Sequence, residues 1–246
     1  MKKLTIGYSV LADRAKNITP PNSDQWELLI ITQGGQADLK IPNAKVISLA
    51  STGVAKSRNT ALAEAAGEYL VFADDDIVFS EVGLQKAVEF LDENPDVSLV
   101  LCRATDTSGK LRKNYPSRVA KLGLFNSAKA ATYEMIVRVA AVKRLGVRFD
   151  EQFGAGVENY LGDEYIFIAD LVRAGGKATF IPITIASHPE DSSGSGWGTQ
   201  RDRVARANLF SRVFGGLAPL IRLAFGARRI AELGGLGNLI RFVLGR

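Results

Sequence analysis

The stretch Tyr69-Leu70-Val71-Phe72-Ala73 is apolar without interruption and is followed at once by Asp74-Asp75-Asp76. Five apolar residues in a row, lacking the alternation of a half-wet strand, read as a strand buried on both faces. Such a strand belongs in a largely parallel sheet with helices over both sides. The three carboxylates then stand at its carboxyl end, where ligands bind in open sheets of this class.

The neighbouring sequence repeats the plan. Residues 4–10, 28–32, 46–49 and 97–101 read as further buried strands, and Met135–Arg138 and 178–186 as later ones, with Pro182 a kink or edge feature. Helical periodicity covers 55–66, 81–92, 140–145 and 163–174, and Asn94-Pro95 and Gly175-Gly176 supply stop signals. Residues 105–132 are polar and aperiodic, an excursion before the chain returns to the sheet. The expected fold is α/β, a mostly parallel Rossmann-like sheet with helices on both faces. Two units are expected: residues 1–198 as the sheet domain and 199–246 as a helical, basic, amphipathic extension.

Composition removes several chemistries. Cys102 is the single cysteine, so no intramolecular disulfide forms, in keeping with a reducing, cytoplasmic compartment. His188 is the single histidine, which excludes sites built from several. Lys2 and Lys3 precede an apolar stretch, but Thr5, Gly7, Tyr8 and Ser9 break it, so it reads as a first strand rather than a secretion signal.

Three adjacent carboxylates repel one another unless a cation sits among them. On extended backbone, residues i and i+2 face the same way, so Asp74 and Asp76 act together and Asp75 points elsewhere. An oxygen-rich site of this kind suits Mg²⁺ or Mn²⁺ bridging to a diphosphate. A second acidic pair, Asp163-Glu164, opens a helix, where acidic residues are also favoured by the helix dipole alone.

The order of these features resembles family 2 glycosyltransferases of the GT-A fold. Gly53-Val54-Ala55-Lys56-Ser57-Arg58-Asn59 looks like the family's helix start, and Gly67-Glu68-Tyr69 introduces the strand that ends in an Asp-x-Asp motif. Residues 147–154 look like its Gly-Phe-Asp-Glu-x-Phe segment, and Arg173-Ala174-Gly175-Gly176 like the end of its acidic-pair helix. The resemblance implies a nucleotide-sugar donor, UDP-linked, lying against Ser9, Gln33, Lys56, Arg58, Asp74 and Asp75. It implies Asp74, Asp76 and His188 around a Mn²⁺ or Mg²⁺ ion, and an acid of the second pair as the base that deprotonates an acceptor hydroxyl. The family order is Glu-Asp and this chain has Asp-Glu, which leaves Asp163 open beside the favoured Glu164. Residues 189–198, rich in Ser and Gly, would close over the donor, and Trp197 would stack on a sugar. Phe125, Asn126 and Tyr133 are acceptor-contact candidates.

Beyond Thr199, nine arginines face one aspartate and one glutamate. This basic amphipathic segment is too charged to span a bilayer and suits an anionic membrane surface, with Arg222, Arg228, Arg229 and Arg241 at headgroup level. The expected function is an inverting transfer of a sugar to a glycan or lipid-linked acceptor at the cytoplasmic face of the inner membrane, in polysaccharide biosynthesis. A sugar nucleotidyltransferase fits less well, because residues 9–19 contain no glycine for its basic, glycine-rich loop. A non-enzymatic protein binding membrane or nucleic acid leaves both acidic clusters unexplained, and no aromatic-basic interleaving points to nucleic acid.

Overall fold

The computed structural model describes residues 2–21, 25–189 and 196–246. The strands are β1 (Leu4–Leu11), β2 (Glu27–Gln33), β3 (Ala44–Leu49), β4 (Tyr69–Ala73), β5 (Val78–Phe79), β6 (Val97–Thr105), β7 (Ala120–Lys121), β8 (Met135–Arg138) and β9 (Lys177–Ser187). The helices are α1 (Val54–Glu64), α2 (Glu81–Glu93), α3 (Val139–Arg144), α4 (Asp163–Arg173), α5 (Gln200–Phe214), α6 (Ala218–Ala227) and α7 (Leu236–Val243). The strands form one sheet in the order β3-β2-β1-β4-β8-β6-β9-β5, with β7 pairing to β9.

The first half is parallel, as its βαβ pattern requires: β1 pairs with β2 and β4, and β2 with β3. The expectation of a mostly parallel sheet needs one refinement. β8 runs antiparallel to both β4 and β6. The chain enters β8 from the long 106–131 excursion rather than from a crossover helix, and only a crossover connection enforces a parallel neighbour. Pro182 lies where the β6–β9 register slips between Leu101↔Phe180 and Arg103↔Thr184, a bulge where its missing N–H removes no ladder bond.

Alternation along β4 explains why an all-apolar strand is required. Tyr69, Val71 and Ala73 join the core on one face, with Leu84, Ala87, Val88 and Leu91 of α2. Leu70 and Phe72 join the other, with Ala61 and Leu62 of α1 and Phe167, Ile168 and Leu171 of α4. Each fully buried side chain of this size stabilises the fold by about 1.5–3 kcal/mol. With both faces packed, the carboxyl edge is the place left for a site.

The 199–246 segment is held to the sheet domain. Thr199 and Asp202 form a reciprocal cap at the start of α5. Leu209 and Val213 of α5 pack on Tyr165, Ile166 and Ala169 of α4, and Arg212 bonds Asp150 and Asp170. Helices α6 and α7 close around Phe210, Leu233, Leu239 and Phe242. This packing corrects one expectation: Arg222 is buried and donates to the carbonyls of Ala218 and Phe242, so it does not reach a headgroup layer.

Candidate active site

At the end of β4 the three aspartates separate by role. Asp75 is buried and accepts hydrogen bonds from Arg14 Nε at 2.9 Å and Asn17 Nδ2 at 3.2 Å. It fastens the loop after β1 to the end of β4. All three line the cavity, and the expected i, i+2 alternation of an extended segment does not hold: the chain turns here, with Ile77 N donating to the Asp74 carbonyl at 3.4 Å. Burial raises the Asp74 pKa, Arg58 opposes the shift, and the Asp76 and Asp163 carboxylates add to it.

Arg58, from the first turns of α1, joins the two acidic clusters. Its Nη1 lies 2.5 Å from Asp163 Oδ2 and its Nη2 lies 3.2 Å from Asp74 Oδ1. The guanidinium is buried, which alone would lower its pKa, but Asp163 and Asp74 outweigh burial and hold it above the usual value. The next residue, Asn59, exchanges hydrogen bonds with both backbone groups of Phe149 and so fixes the loop that leads to the second acidic pair. Gly154 in that loop has φ of +102°, and a Cβ there would lie 2.9 Å from the Asp163 carboxyl. Only glycine takes that backbone at that distance.

Both acids line the cavity, and they differ in that Asp163 is committed to Arg58. Burial first, then the adjacent Asp163 charge, push the Glu164 pKa up to about 8. A carboxyl held in that range accepts a proton far more readily than an ordinary glutamate.

His188 follows β9 and stacks on Tyr133, with ring centroids 5.0 Å apart. Its Nε2 lies 3.6 Å from Asp76 Oδ1, which is buried and has no hydrogen-bond partner among the described residues. The Pro189 carbonyl oxygen lies 2.5 Å from Nδ1, on the side of the ring away from Asp76. Arg112 binds the His188 carbonyl at 2.8 Å and approaches Nδ1 at 2.9 Å. Two donors facing each other at this separation fit a divalent ion with metal–ligand bonds of about 2.1 Å. Among the described residues no group of three acid, His or Cys side chains is placed for a metal. An ion held by Asp76 and His188 would complete its shell from substrate oxygens and water, as Mg²⁺ commonly does.

One cavity of about 950 Å³ unites these groups, at the upper end of small-molecule sites. Ser9 and Gln33 lie on its wall at the ends of β1 and β2. Ser9 Oγ is buried without a partner among the described residues, and Gln33 Oε1 accepts from Gly53 N at 2.9 Å, holding the start of α1. Lys56 is exposed, bonds Ser51 and lies off the cavity wall, one helical face away from Arg58. Phe125, Asn126 and Tyr133 all line the cavity.

Trp197 also lines it, as part of the helical segment: it stacks on Phe225 at 5.6 Å and lies between Arg206 and Arg229. The expected closing segment, residues 189–198, lies for the most part outside the described residues. Arg14, Asn17 and Arg112 went unforeseen. A basic residue just past the carboxyl end of the first strand was the available signal for Arg14. Arg112 sits in the aperiodic excursion, which carries none.

Comparison with known proteins agrees with this fold. Residues 29–149 match the family described as Glycosyl transferase family 2. A poly(ribitol-phosphate) beta-N-acetylglucosaminyltransferase, TarS, of Staphylococcus aureus is 31% identical over 115 residues. That alignment covers 45% of this chain and only 20% of TarS. The structure of TarS residues 1–349 with UDP-GlcNAc superposes with a TM-score of 0.62 at 16% identity, over 99% of this chain and 82% of that one. The same fragment with UDP gives 0.58 at 16% identity, over 98% and 81%. At these identities the superpositions establish the GT-A fold.

Proposed function

The chain belongs to glycosyl transferase family 2, and on that premise we propose that it moves a sugar from a UDP-linked donor to a hydroxyl of a glycan or lipid-linked acceptor. The observation that carries this reading is the meeting of two acidic clusters in one cavity, joined through buried Arg58. The donor that accompanies TarS, UDP-GlcNAc, supports the choice of nucleotide.

The nucleotide lies along Ser9, Gln33, Asp74 and Asp75, at the carboxyl edge of β1, β2 and β4. Asp76 and His188 would hold Mn²⁺ or Mg²⁺, which would supply positive charge against the leaving diphosphate. Glu164 takes the proton of the acceptor hydroxyl. The acceptor's hydroxyl oxygen forms a bond to the anomeric carbon as the bond to the diphosphate breaks on the opposite face, so configuration inverts and UDP departs. Arg58 holds Asp163 in place through the buried ion pair, which leaves Glu164 as the carboxyl offered to the acceptor. Phe125, Tyr133 and Trp197 form the aromatic side of the acceptor region. Polysaccharide synthesis at the cytoplasmic face of the inner membrane is the setting this reading implies, and the buried free thiol of Cys102 suits a reducing compartment.

Calorimetric titration of UDP into the protein tests the site, with Mn²⁺ and after chelation, for the parent and for Asp76→Ala. Binding that needs both the ion and Asp76 is expected. Equal affinity in all four conditions would remove the metal from the site, and no nucleotide binding at all would remove the reading.

A further inference from the structure

Helices α6 and α7 each carry two apolar faces, and the core uses one. Inward, Ile221, Phe225, Leu239 and Phe242 pack around Phe210 and Leu233. Outward, Leu217 at the N-cap of α6 is followed at i, i+3 spacing by Leu220 and Leu223, and Leu236 and Ile240 of α7 are followed at i, i+4 by Leu244 at its C-cap, all exposed. Leu220 is 65% exposed and Leu236 63%. Aligned aliphatic stripes of this kind are uncommon on a surface that meets only water. The fold has no need of them, since the opposite faces already anchor both helices.

We propose that this outward face docks on an anionic lipid bilayer, with the leucines and isoleucine in the acyl boundary and arginines at the headgroups. Arg228 lies one residue past α6, and Arg241 follows Ile240 on α7; both are exposed. The one acid in these two helices and their link, Glu232, is paired with Arg229 at 2.5 Å. The face is therefore apolar and cationic together, the composition of an interfacial helix. Charge selects the occupant: a second copy would bring arginine against arginine, whereas an anionic surface complements them.

The helical run Gln200–Ala227 is long and apolar enough to be considered as a span. It lies on the membrane instead. Its first half is α5, tied to the sheet domain by Arg212 with Asp150 and Asp170 and by Tyr160 with Asp202. This inference does not depend on the transferase reading.

Co-sedimentation of the full chain with vesicles tests it, using phosphatidylcholine alone and phosphatidylcholine mixed with phosphatidylglycerol. Binding to the mixed vesicles that weakens with added salt is expected. Arg228→Gln with Arg241→Gln should lower the partition constant about 25-fold at low salt, roughly fivefold per arginine. Leu220→Ser with Ile240→Ser should lower it further while leaving circular dichroism and UDP affinity unchanged. Absence of binding, or equal binding to neutral vesicles untouched by the arginine changes, would overturn the proposal. So would light scattering that shows a dimer which the serine substitutions dissolve, since the face would then belong to a second copy.

Discussion

Arg58→Met removes the guanidinium between the two acidic clusters while keeping most of the side-chain volume. Arg58 and Asp163 are 7% and 4% exposed, so their 2.5 Å bridge is buried. Removing one partner of such a pair leaves an uncompensated charge and costs about 3–5 kcal/mol. The contact with Asp74, whose side chain is 34% exposed, is screened by solvent and adds no more than about 1 kcal/mol. With a urea dependence near the upper end of the usual ~1–3 kcal/mol per M, the unfolding midpoint should fall by about 1–2 M. Urea denaturation followed by tryptophan fluorescence reads this directly. The double variant Arg58→Met, Asp163→Asn should recover much of the loss, because neutralising Asp163 removes the stranded charge, and the cycle should return a coupling of about 2 kcal/mol. A loss below about 1 kcal/mol, or strict additivity in the cycle, would show that the bridge is no stronger than a surface ion pair and refute the reasoning.

The raised Glu164 pKa fixes a pH dependence. A base acts only when deprotonated, so kcat/KM should climb with pH through about 8 and flatten above it. Glu164→Gln should abolish that limb and lower the rate by about 10²–10⁴-fold; a limb that survives the substitution assigns it to another group. The same shift has a stability cost. The folded state holds the Glu164 proton above the ordinary value of 4.5, so its contribution is full below that pH and is lost as pH rises through about 8. Denaturation above pH 8 should therefore find Glu164→Gln more stable than the parent. Gly83→Ala places a Cβ 2.1 Å from the Thr184 carbonyl oxygen, so α2 and β9 must part. The overpacking costs about 1–3 kcal/mol or more, beyond the roughly 1 kcal/mol that alanine returns in helix propensity. Because β9 leads to His188, metal-dependent UDP binding should weaken too, and an unchanged melting temperature would contradict the packing.

Most of the frame was legible in the sequence because its signals are local. Continuous apolarity marked β4, Asn94-Pro95 stopped α2, and the glycines after α4 ended it. What escaped depends on contacts distant along the chain. The reversal of β8 follows from the path of an excursion with no periodicity to read. Arg58 was expected at the nucleotide because a cation on a helix start suits phosphate, yet its nearest charges are Asp163, 105 residues away, and Asp74. Arg222 reads as a surface cation in an amphipathic pattern, and only the closure of α7 over α6 buries it. The ambiguity between Asp163 and Glu164 has the same origin: adjacent in sequence, they differ in which one Arg58 reaches.

The most direct measurement is turnover with nucleotide sugars offered one at a time in Mn²⁺, scoring free nucleoside diphosphate for the parent, for Asp76→Ala and after chelation. Slow donor hydrolysis needs no acceptor, so the acceptor need not be known. Release of UDP from one donor, lost in Asp76→Ala and with chelator, is the predicted result. No release of nucleoside diphosphate from any donor, or release untouched by Asp76→Ala and by chelation, would contradict metal-dependent sugar transfer at this site.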